Sequence, residues 1–410
     1  MANSKQSSFW GELYLFMSII WNPLQNYYLH IDGNARTLMI LAVIAIITNI
    51  GSLHNKVNVF KSSAFICWIT LLIYSLMNVL IQGNSNNEPL FVFIRSNFLN
   101  AFVFLSILMV ELQRDYARCL KIVFIALVVY MLLGLFNMTL DSDMRVYAYG
   151  LGNTLPLMSM VGVFIAEILL SENRLRGRWW TFSFLLVLAL FITIASATRK
   201  ALGALAIVLV FFFISQKRRI NTGRIIIMII IAIIIYFGSD WVLENTFMGE
   251  RLTDIGEQYT EYELSSNPVI NKFWANFLGD RTFFYYYGLQ IFHQHPITGI
   301  GLTNFQIAQD TNVRIHSEYI VQLCENGIIG FVLLILFYVI ILKRLLTKKR
   351  EGFNIWIYLG GLLAILFLNF TAWTYNSDAV MILYAVLLNF IYSDKNGESC
   401  YIPLPLNNKN

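Results

Sequence analysis

The chain is 410 residues long, and its composition excludes a soluble globular domain: 57% of the residues are hydrophobic, 15% are aromatic and only 13% are charged. So few charges cannot cover a surface that faces water, which predicts a polytopic membrane protein. The formal net charge of +5 does not indicate nucleic acid as a partner, because the Lys and Arg residues are spread over short segments between apolar runs.

Twelve apolar runs approach the roughly 20 residues that a membrane-spanning helix needs. We place these spans at 12–30, 36–53, 62–82, 89–111, 118–139, 151–170, 179–197, 200–215, 224–243, 325–346, 355–373 and 377–393. The predicted fold is all-α, with about twelve transmembrane helices and both termini on one side. It divides into spans 1 to 9 (1–243), a long loop (244–324), spans 10 to 12 (325–393) and a tail (394–410). Asn22 and Pro23 predict a broken or tilted first helix.

The basic residues predict the orientation, because Lys and Arg in short loops are enriched on the cytoplasmic side of a membrane. With a cytoplasmic N-terminus, 20 of the 29 Lys and Arg residues fall on that side. The long loop at 244–324 then lies outside the cytoplasm. Nine basic residues stay on the outer side: Arg36, Arg95, Arg145, Arg199, Lys200, Arg251, Lys272, Arg281 and Arg314.

These outer arginines are candidate functional residues, because a charge at a helix end in a membrane is costly unless it faces water or a partner. Arg199 is the leading candidate, since its hairpin at 197–200 is too short to hold the charge far from the bilayer. The alternative role is an interfacial anchor whose charged end reaches up to water. For Arg36 and Arg145 we favour the anchor.

The long outer loop is predicted to contain amphipathic helices that lie in the membrane interface. Residues 267–295 begin at an Asn-Pro start signal and place aromatic side chains at helical spacing. Asp280 interrupts this helix and is a candidate cap for a second segment that begins at Arg281. The aromatic run from Phe283 to Tyr287 fits an interfacial belt, which we favour, or a stacking face for sugar rings.

Several familiar kinds of site have little support in this sequence. His293 and His295 form an HxH pair whose side chains would point to different faces of a helix, with no Cys or acidic cluster to complete a metal site. The sequence has no GxSxG motif, and the segment from Gly299 to Gly301 lacks the strand and the third glycine of a dinucleotide fingerprint. We therefore expect neither a protein-bound metal nor a cofactor. The four separated cysteines predict no disulfide framework.

What remains on the outer side is a set of arginines and one well-placed histidine, His316. Arginine binds phosphate through bidentate, charge-assisted hydrogen bonds, and histidine can accept a proton near neutral pH. Together they fit group transfer from a phosphate-activated donor at the membrane surface. A transporter of an anionic lipid or sugar fits the same arginines, but the long loop with its histidine favours an enzyme.

Four outer segments carry a resemblance to a known family: SATRKALGALAI at 196–207, Arg281 with the following YYYGLQIF, HPITGIGLTNF at 295–305, and HSEYIVQLCENGIIGF at 316–331. Together they resemble the shared domain of bacterial O-antigen polymerases and O-antigen ligases. The resemblance covers about 196–346 closely. The layout of twelve spans with one large loop before a late span agrees with this family over the whole chain.

The resemblance implies an inverting, metal-independent glycosyltransferase in the bacterial cytoplasmic (inner) membrane, with its site facing the periplasm. Arg199 and Arg281 would bind the undecaprenyl diphosphate of the glycan donor, and His316 would be the catalytic base. Ser317 departs from the family, which often has Asn there. Lys200 also departs, because a small residue is usual at its position.

Five further residues are candidates for substrate binding. Lys200 would add a phosphate contact. Glu318 is a candidate substrate contact, and whether it assists the base stays open. Arg314, Arg95 and Arg145 are our own additions, made because they are predicted to lie on the outer side.

Two activities within the family and one outside it stay open. A polymerase transfers the growing glycan to an incoming lipid-linked repeat unit, giving O-antigen or capsular polysaccharide, whereas a ligase transfers the finished glycan to the lipid A core. A flippase or exporter of lipid-linked oligosaccharide would place polar residues along its spans. We favour the polymerase. Its partners would be the undecaprenyl-diphosphate-linked donor, the acceptor glycan and membrane lipids, with a chain-length regulator as an open question and no nucleic acid.

Overall fold

The computed structural model describes the following residues: 2–24, 28, 40–45, 47–48, 59–82, 100–114, 116–140, 146–148, 154–172, 174–175, 179–196, 198–216, 264–278, 281–302, 304–309, 315–350, 354–372, 374 and 377–392. The predicted span at 224–243 and the tail from 394 lie outside these residues. So do most of the span at 36–53 and the first half of the span at 89–111.

Helices dominate the described part of the chain, and their bounds follow the apolar runs. They are α1 Ala2–Pro23, α2 Ser63–Gln82, α3 Asn100–Arg114, α4 Tyr116–Phe136, α5 Thr154–Ser171, α6 Trp179–Ala195, α7 Arg199–Ser215, α8 Pro268–Leu278, α9 Thr282–Gln294, α10 Phe305–Ala308, α11 Glu318–Arg350, α12 Trp356–Thr371 and α13 Asp378–Tyr392. The break predicted at Asp280 falls between α8 and α9. The first helix ends at Pro23, where the sequence predicts an interruption.

Among the described residues, four helices are long and apolar enough to cross a membrane: α2, α4, α5 and α11. Shorter apolar helices of 10–17 residues accompany them, including α6, α12 and α13. The chain is therefore a helical membrane protein, as predicted. The total of twelve spans stays a prediction.

The packing of α11 shows how an apolar helix divides its surface between protein and lipid. Val332, Leu336 and Val339 are exposed at helical spacing, while Leu334 and Phe337 on the other face are buried in the core. An exposed apolar stripe of this kind is unfavourable in water but suits contact with lipid chains. The stripe supports a membrane environment for this helix.

One short sheet interrupts the helical fold. Met138–Leu140 (β1) pairs antiparallel with Val146–Ala148 (β2), and Met138 lies opposite Ala148. The span predicted to reach residue 139 therefore ends at Phe136. Apolar residues at both ends of β1 extended the apparent helical run, although the apolar-polar-apolar order of Met-Thr-Leu also fits the two-residue period of a strand.

The longest helix, α11, is broken at Gly327, where φ is 65° and ψ is −165°. An unbroken helix of 33 residues would be about 50 Å long, well beyond the roughly 30 Å of a bilayer core. The break separates an N-terminal segment, 318–326, from a longer segment, 328–350. The span predicted to begin at 325 thus begins near the break.

The turn-rich segment at 295–301 satisfies the backbone groups that this break exposes. The Ile300 and Gly301 amides donate to the carbonyls of Cys324 (3.1 Å) and Glu325 (2.9 Å). In return, the Ile328 amide donates to the Pro296 carbonyl (2.8 Å).

Helix α2 holds the same junction from the other side. The Asn78 Nδ2 donates to the carbonyls of Thr298 (2.6 Å) and Glu325 (2.8 Å). The Tyr74 hydroxyl donates to the Asn326 carbonyl (3.1 Å). The break is therefore a fixed joint between α2, α11 and the segment at 295–301.

We expect Gly327→Ala to destabilise the protein by about 3 kcal/mol, because a side chain is strained at this backbone conformation. The added Cβ would also lie 2.2 Å from the Ile297 carbonyl oxygen. Thermal unfolding in detergent measures the effect. Gly162→Ala in α5 is the matched control, since its Cβ would meet Met131 Sδ at an ordinary 3.5 Å. Equal unfolding temperatures for the two variants would contradict this role of Gly327.

Candidate active site

Helix α9 packs along the N-terminal segment of α11 (318–326), and the two run in the same direction. The Phe284 ring meets the His316 ring edge to face, with centroids 5.5 Å apart. Further along, a Cβ on Gly288 would lie 2.3 Å from Ile320 Cγ2, so the glycine permits this close approach. The start of α9 therefore lies beside His316.

This packing brings two predicted site residues to one place. Arg281 immediately precedes α9, three and four residues before Phe284 and Tyr285, so all three share the helix face turned toward α11. His316 is exposed just before α11 begins. The pKa of Tyr285 is raised to about 12, chiefly by burial, while the hydrogen bond with Ser317 and the positive charge of Arg281 oppose this rise. The Arg281 charge thus acts on a hydroxyl that contacts the neighbour of His316.

Arg199 and Lys200 begin α7 and are both partly buried. Helix α7 runs antiparallel to α12, because a Cβ on Gly203 would lie 2.6 Å from Phe367 and a Cβ on Gly360 would lie 2.7 Å from Phe211. Arg199 is one turn before Gly203. It therefore lies beside the last turn of α12.

The last turn of α12 is also where α9 and α11 meet. Three hydrogen bonds join these elements: Ser317 Oγ donates to the Asn369 carbonyl (3.1 Å), the Tyr285 hydroxyl to the Phe370 carbonyl (2.9 Å), and the Glu318 amide to the Ala372 carbonyl (3.1 Å). The final carbonyls of a helix lack partners within it, so they are available for such bonds. The end of α12 thus brings Arg199, Arg281 and His316 to one end of the bundle.

Glu318 has a different position from the one expected of a substrate contact. Its side chain is fully buried, and its Oε1 accepts from Gln322 Nε2 (2.9 Å). Its Oε2 accepts from the Thr374 backbone amide (2.9 Å), just beyond α12. In this geometry the carboxylate points into the protein and fixes the chain after α12.

A buried polar network extends from Glu318 into the spanning core, and the sequence reading missed it. Its further bonds run from Thr374 Oγ1 to Asn369 Oδ1, from Asn369 Nδ2 to the Tyr338 hydroxyl (2.9 Å), and between the Tyr338 and Tyr384 hydroxyls (2.6 Å). The sequence did contain a signal for this network: isolated carboxamides and hydroxyls inside apolar runs. Such polar groups are costly in a membrane unless they have hydrogen-bond partners. The network secures the end of α12 on which the site is built.

The ring of Phe284, which meets His316, belongs to an aromatic cluster on the start of α9. Phe283 contacts Tyr287 and Phe305, with centroids 4.8 and 6.3 Å apart, and Phe284 also contacts Phe305 (6.0 Å). The predicted aromatic run is thus partly internal packing. The choice between interfacial belt and sugar-stacking face stays open for its partly buried tyrosines.

Several predicted site residues lie outside the described residues: Arg95, Arg145 and Arg314. Lys200 lies next to Arg199 at the start of α7. His293 and His295 are exposed near the end of α9. Where the structure describes the chain, no group of three or more His, Cys, Asp or Glu could hold a metal ion. Cys67, Cys119 and Cys324 are buried thiols that form no disulfide.

Comparison with known proteins identifies a family similarity. The family model described as O-antigen ligase matches residues 184–335, from within α6 to within α11. No curated protein matches the chain. The matched range contains Arg199, Arg281 and His316, and over this range the chain is similar to the O-antigen ligase family.

Proposed function

We propose that this membrane protein, which carries the O-antigen ligase domain at 184–335, is a glycosyltransferase that polymerises lipid-linked repeat units. It transfers the growing glycan from undecaprenyl diphosphate to the terminal sugar of an incoming lipid-linked unit. One observation carries the proposal: the exposed His316 contacts Phe284 on the face of α9 that also carries Arg281.

The proposed reaction is a single displacement at the anomeric carbon. His316 removes the proton from the acceptor hydroxyl as its oxygen attacks that carbon. The bond from the anomeric carbon to the phosphate oxygen breaks on the opposite side, which inverts the configuration. Undecaprenyl diphosphate leaves with the bonding electrons.

The arginines stabilise the diphosphate as it leaves. A guanidinium stays protonated and forms paired hydrogen bonds with phosphate oxygens. Arg281 from α9 and Arg199 from α7 approach the end of α12 from separate elements, with Lys200 adding charge beside Arg199. Arg281 and Arg199 are both partly buried. Their charges act more strongly there than in bulk water.

The site is proposed to face the periplasm of a bacterial cytoplasmic membrane. Helix α11 has His316 just before its first residue and an exposed basic cluster at its other end: Lys343, Arg344, Lys349 and Arg350. Such a cluster favours the cytoplasmic side. The opposite end of the same helix then lies outside the cytoplasm.

A second candidate is the ligase, which the description of the matched family model favours. The same donor and the same groups serve both reactions, and only the acceptor differs. An exporter has less support, because polar side chains of α11 and α12 such as Asn369 and Tyr338 bond to one another instead of lining a path.

The glycan of a strain lacking this protein tests the proposal. A lost polymerase leaves single repeat units attached to the lipid A core, since addition to the core continues without polymerisation. A lost ligase instead leaves lipid-linked polymer that is not attached to the core. Lipid-linked units confined to the cytoplasmic leaflet would indicate a lost exporter and would contradict the proposal.

A further inference from the structure

Two buried hydroxyl groups join the element that carries Arg281 to the element that carries His316. The Tyr285 hydroxyl and Ser317 Oγ are 3.0 Å apart. We propose that Tyr285 and Ser317 are positioning residues, which hold the imidazole of His316 at a fixed place relative to the guanidinium of Arg281. This inference rests on the proposed glycosyl transfer, in which those two groups act on the same substrate.

The hydrogen bonds of this pair leave little freedom for either element. The Tyr285 hydroxyl donates to the Phe370 carbonyl (2.9 Å), and Ser317 Oγ donates to the adjacent Asn369 carbonyl (3.1 Å). Ser317 Oγ also accepts from the Ile320 amide (3.5 Å), as a residue preceding a helix commonly does. The pair therefore fixes the start of α11 and one face of α9 to the same turn of α12.

Proton counting shows that the two hydroxyls act together. Each hydroxyl has one proton, yet three of the pair's contacts need a hydroxyl proton: with Phe370, with Asn369 and with each other. At any moment two of these contacts hold a proton. Removing the Tyr285 hydroxyl deletes two contacts and leaves Ser317 bonded to Asn369.

Each residue of the pair lies close in the chain to one of the two groups proposed to act on the substrate. Ser317 follows His316 directly, and Tyr285 is one helical turn after Arg281. Tyr285 is 9% exposed and Ser317 is 1% exposed, so water cannot easily replace the lost bonds. A shift of α9 against α11 would change the distance between the His316 imidazole and the Arg281 guanidinium. Because catalysis depends on how reacting groups are placed, such a shift would lower the rate.

Ser317 is also one of the two departures from the resembled family, which often has Asn at this position. The structure explains the serine at this position. Its short hydroxyl side chain fits between Tyr285 and the Asn369 carbonyl and also caps α11. Ser317 and Tyr285 thus act as a matched pair.

Tyr285→Phe tests the proposal, with Tyr319→Phe as its matched control. The Tyr319 hydroxyl donates to the Leu366 carbonyl (3.1 Å), another α12 carbonyl about one turn earlier. We expect Tyr285→Phe to lower kcat about 10- to 100-fold, with little change in the affinity for an undecaprenyl diphosphate analogue. Tyr319→Phe should leave kcat near that of the unaltered protein. An equal loss in both variants would overturn the proposal, because it would show a general packing effect.

A second pair of variants covers the case in which Tyr285→Phe fails to fold. Ser317→Ala should reproduce the loss of kcat, and Ser317→Thr should restore most of it, because the hydroxyl returns. Unaltered kcat in Tyr285→Phe and Ser317→Ala, beside an inactive His316→Ala, would overturn the positioning role and leave the proposed function standing. Full activity in His316→Ala would reject the proposed function itself.

Discussion

Replacing His316 with alanine is expected to lower the rate of glycan transfer by about 10²- to 10⁴-fold, because the proposed base for the acceptor hydroxyl is lost. The imidazole is exposed and meets the Phe284 ring edge to face, so we expect the fold to survive its loss. Arg199 and Arg281 remain in His316→Ala, so donor affinity should change little. Transfer assays in membranes and binding of a lipid diphosphate analogue measure the two effects separately.

His293→Ala is the matched control for this experiment. His293 is exposed in the last turn of α9 and belongs to the same outer loop, but it has no place in the proposed site. Its variant should transfer glycan at the normal rate. Glycan of near-normal length in cells that carry only His316→Ala would reject the assignment of the base.

Replacing Arg281 with alanine is expected to reduce both donor affinity and rate, with a loss of about 10²- to 10³-fold in kcat. The guanidinium binds the diphosphate before the reaction and stabilises its added charge during it, so both constants should change. Arg281→Lys should have a donor affinity and a kcat between those of the unaltered protein and Arg281→Ala, because lysine keeps the charge but not the paired hydrogen bonds. Arg199→Ala should likewise reduce both donor affinity and kcat.

Lys272→Ala controls for a general loss of positive charge in the outer loop. Lys272 lies exposed on α8, and its removal should leave donor binding unaltered. Titration with a lipid diphosphate analogue compares these variants directly. Unchanged affinity in both arginine variants would rule out their role in binding phosphate.

Local sequence signals predicted much of the helical framework. The apolar run at 62–82 corresponds to α2, and the run at 151–170 corresponds to α5, within a few residues at each end. Asp280 also predicted a break in the helical pattern, and α8 ends at Leu278 while α9 begins at Thr282. These features depend on residues close together in the chain, so the sequence alone contains them.

The joint at Gly327 could not be predicted in the same way. The sequence shows only a glycine within a helical run, and such a glycine is usually tolerated at a modest cost in helix stability. The break exists because the segment at 295–301 supplies amides to the freed carbonyls and Asn78 of α2 supplies another donor. Such pairing joins distant parts of the chain and leaves no local pattern.

The candidate site was predictable in its chemistry but not in its arrangement. Arg281 and His316 stood out by residue type and by their predicted side of the membrane. Their meeting depends on Gly288, which lets α9 approach α11, and on the end of α12. Glu318 shows the limit of residue type alone, because its carboxylate is buried and fixes Thr374 instead of facing solvent.

The most direct test uses the purified protein in proteoliposomes supplied with a lipid-linked repeat unit on undecaprenyl diphosphate. Mass spectrometry of the products should show lipid-linked chains of two or more units together with released undecaprenyl diphosphate. His316→Ala should show neither product. Movement of the intact lipid-linked unit across the bilayer with no new glycosidic bond would contradict the proposed function.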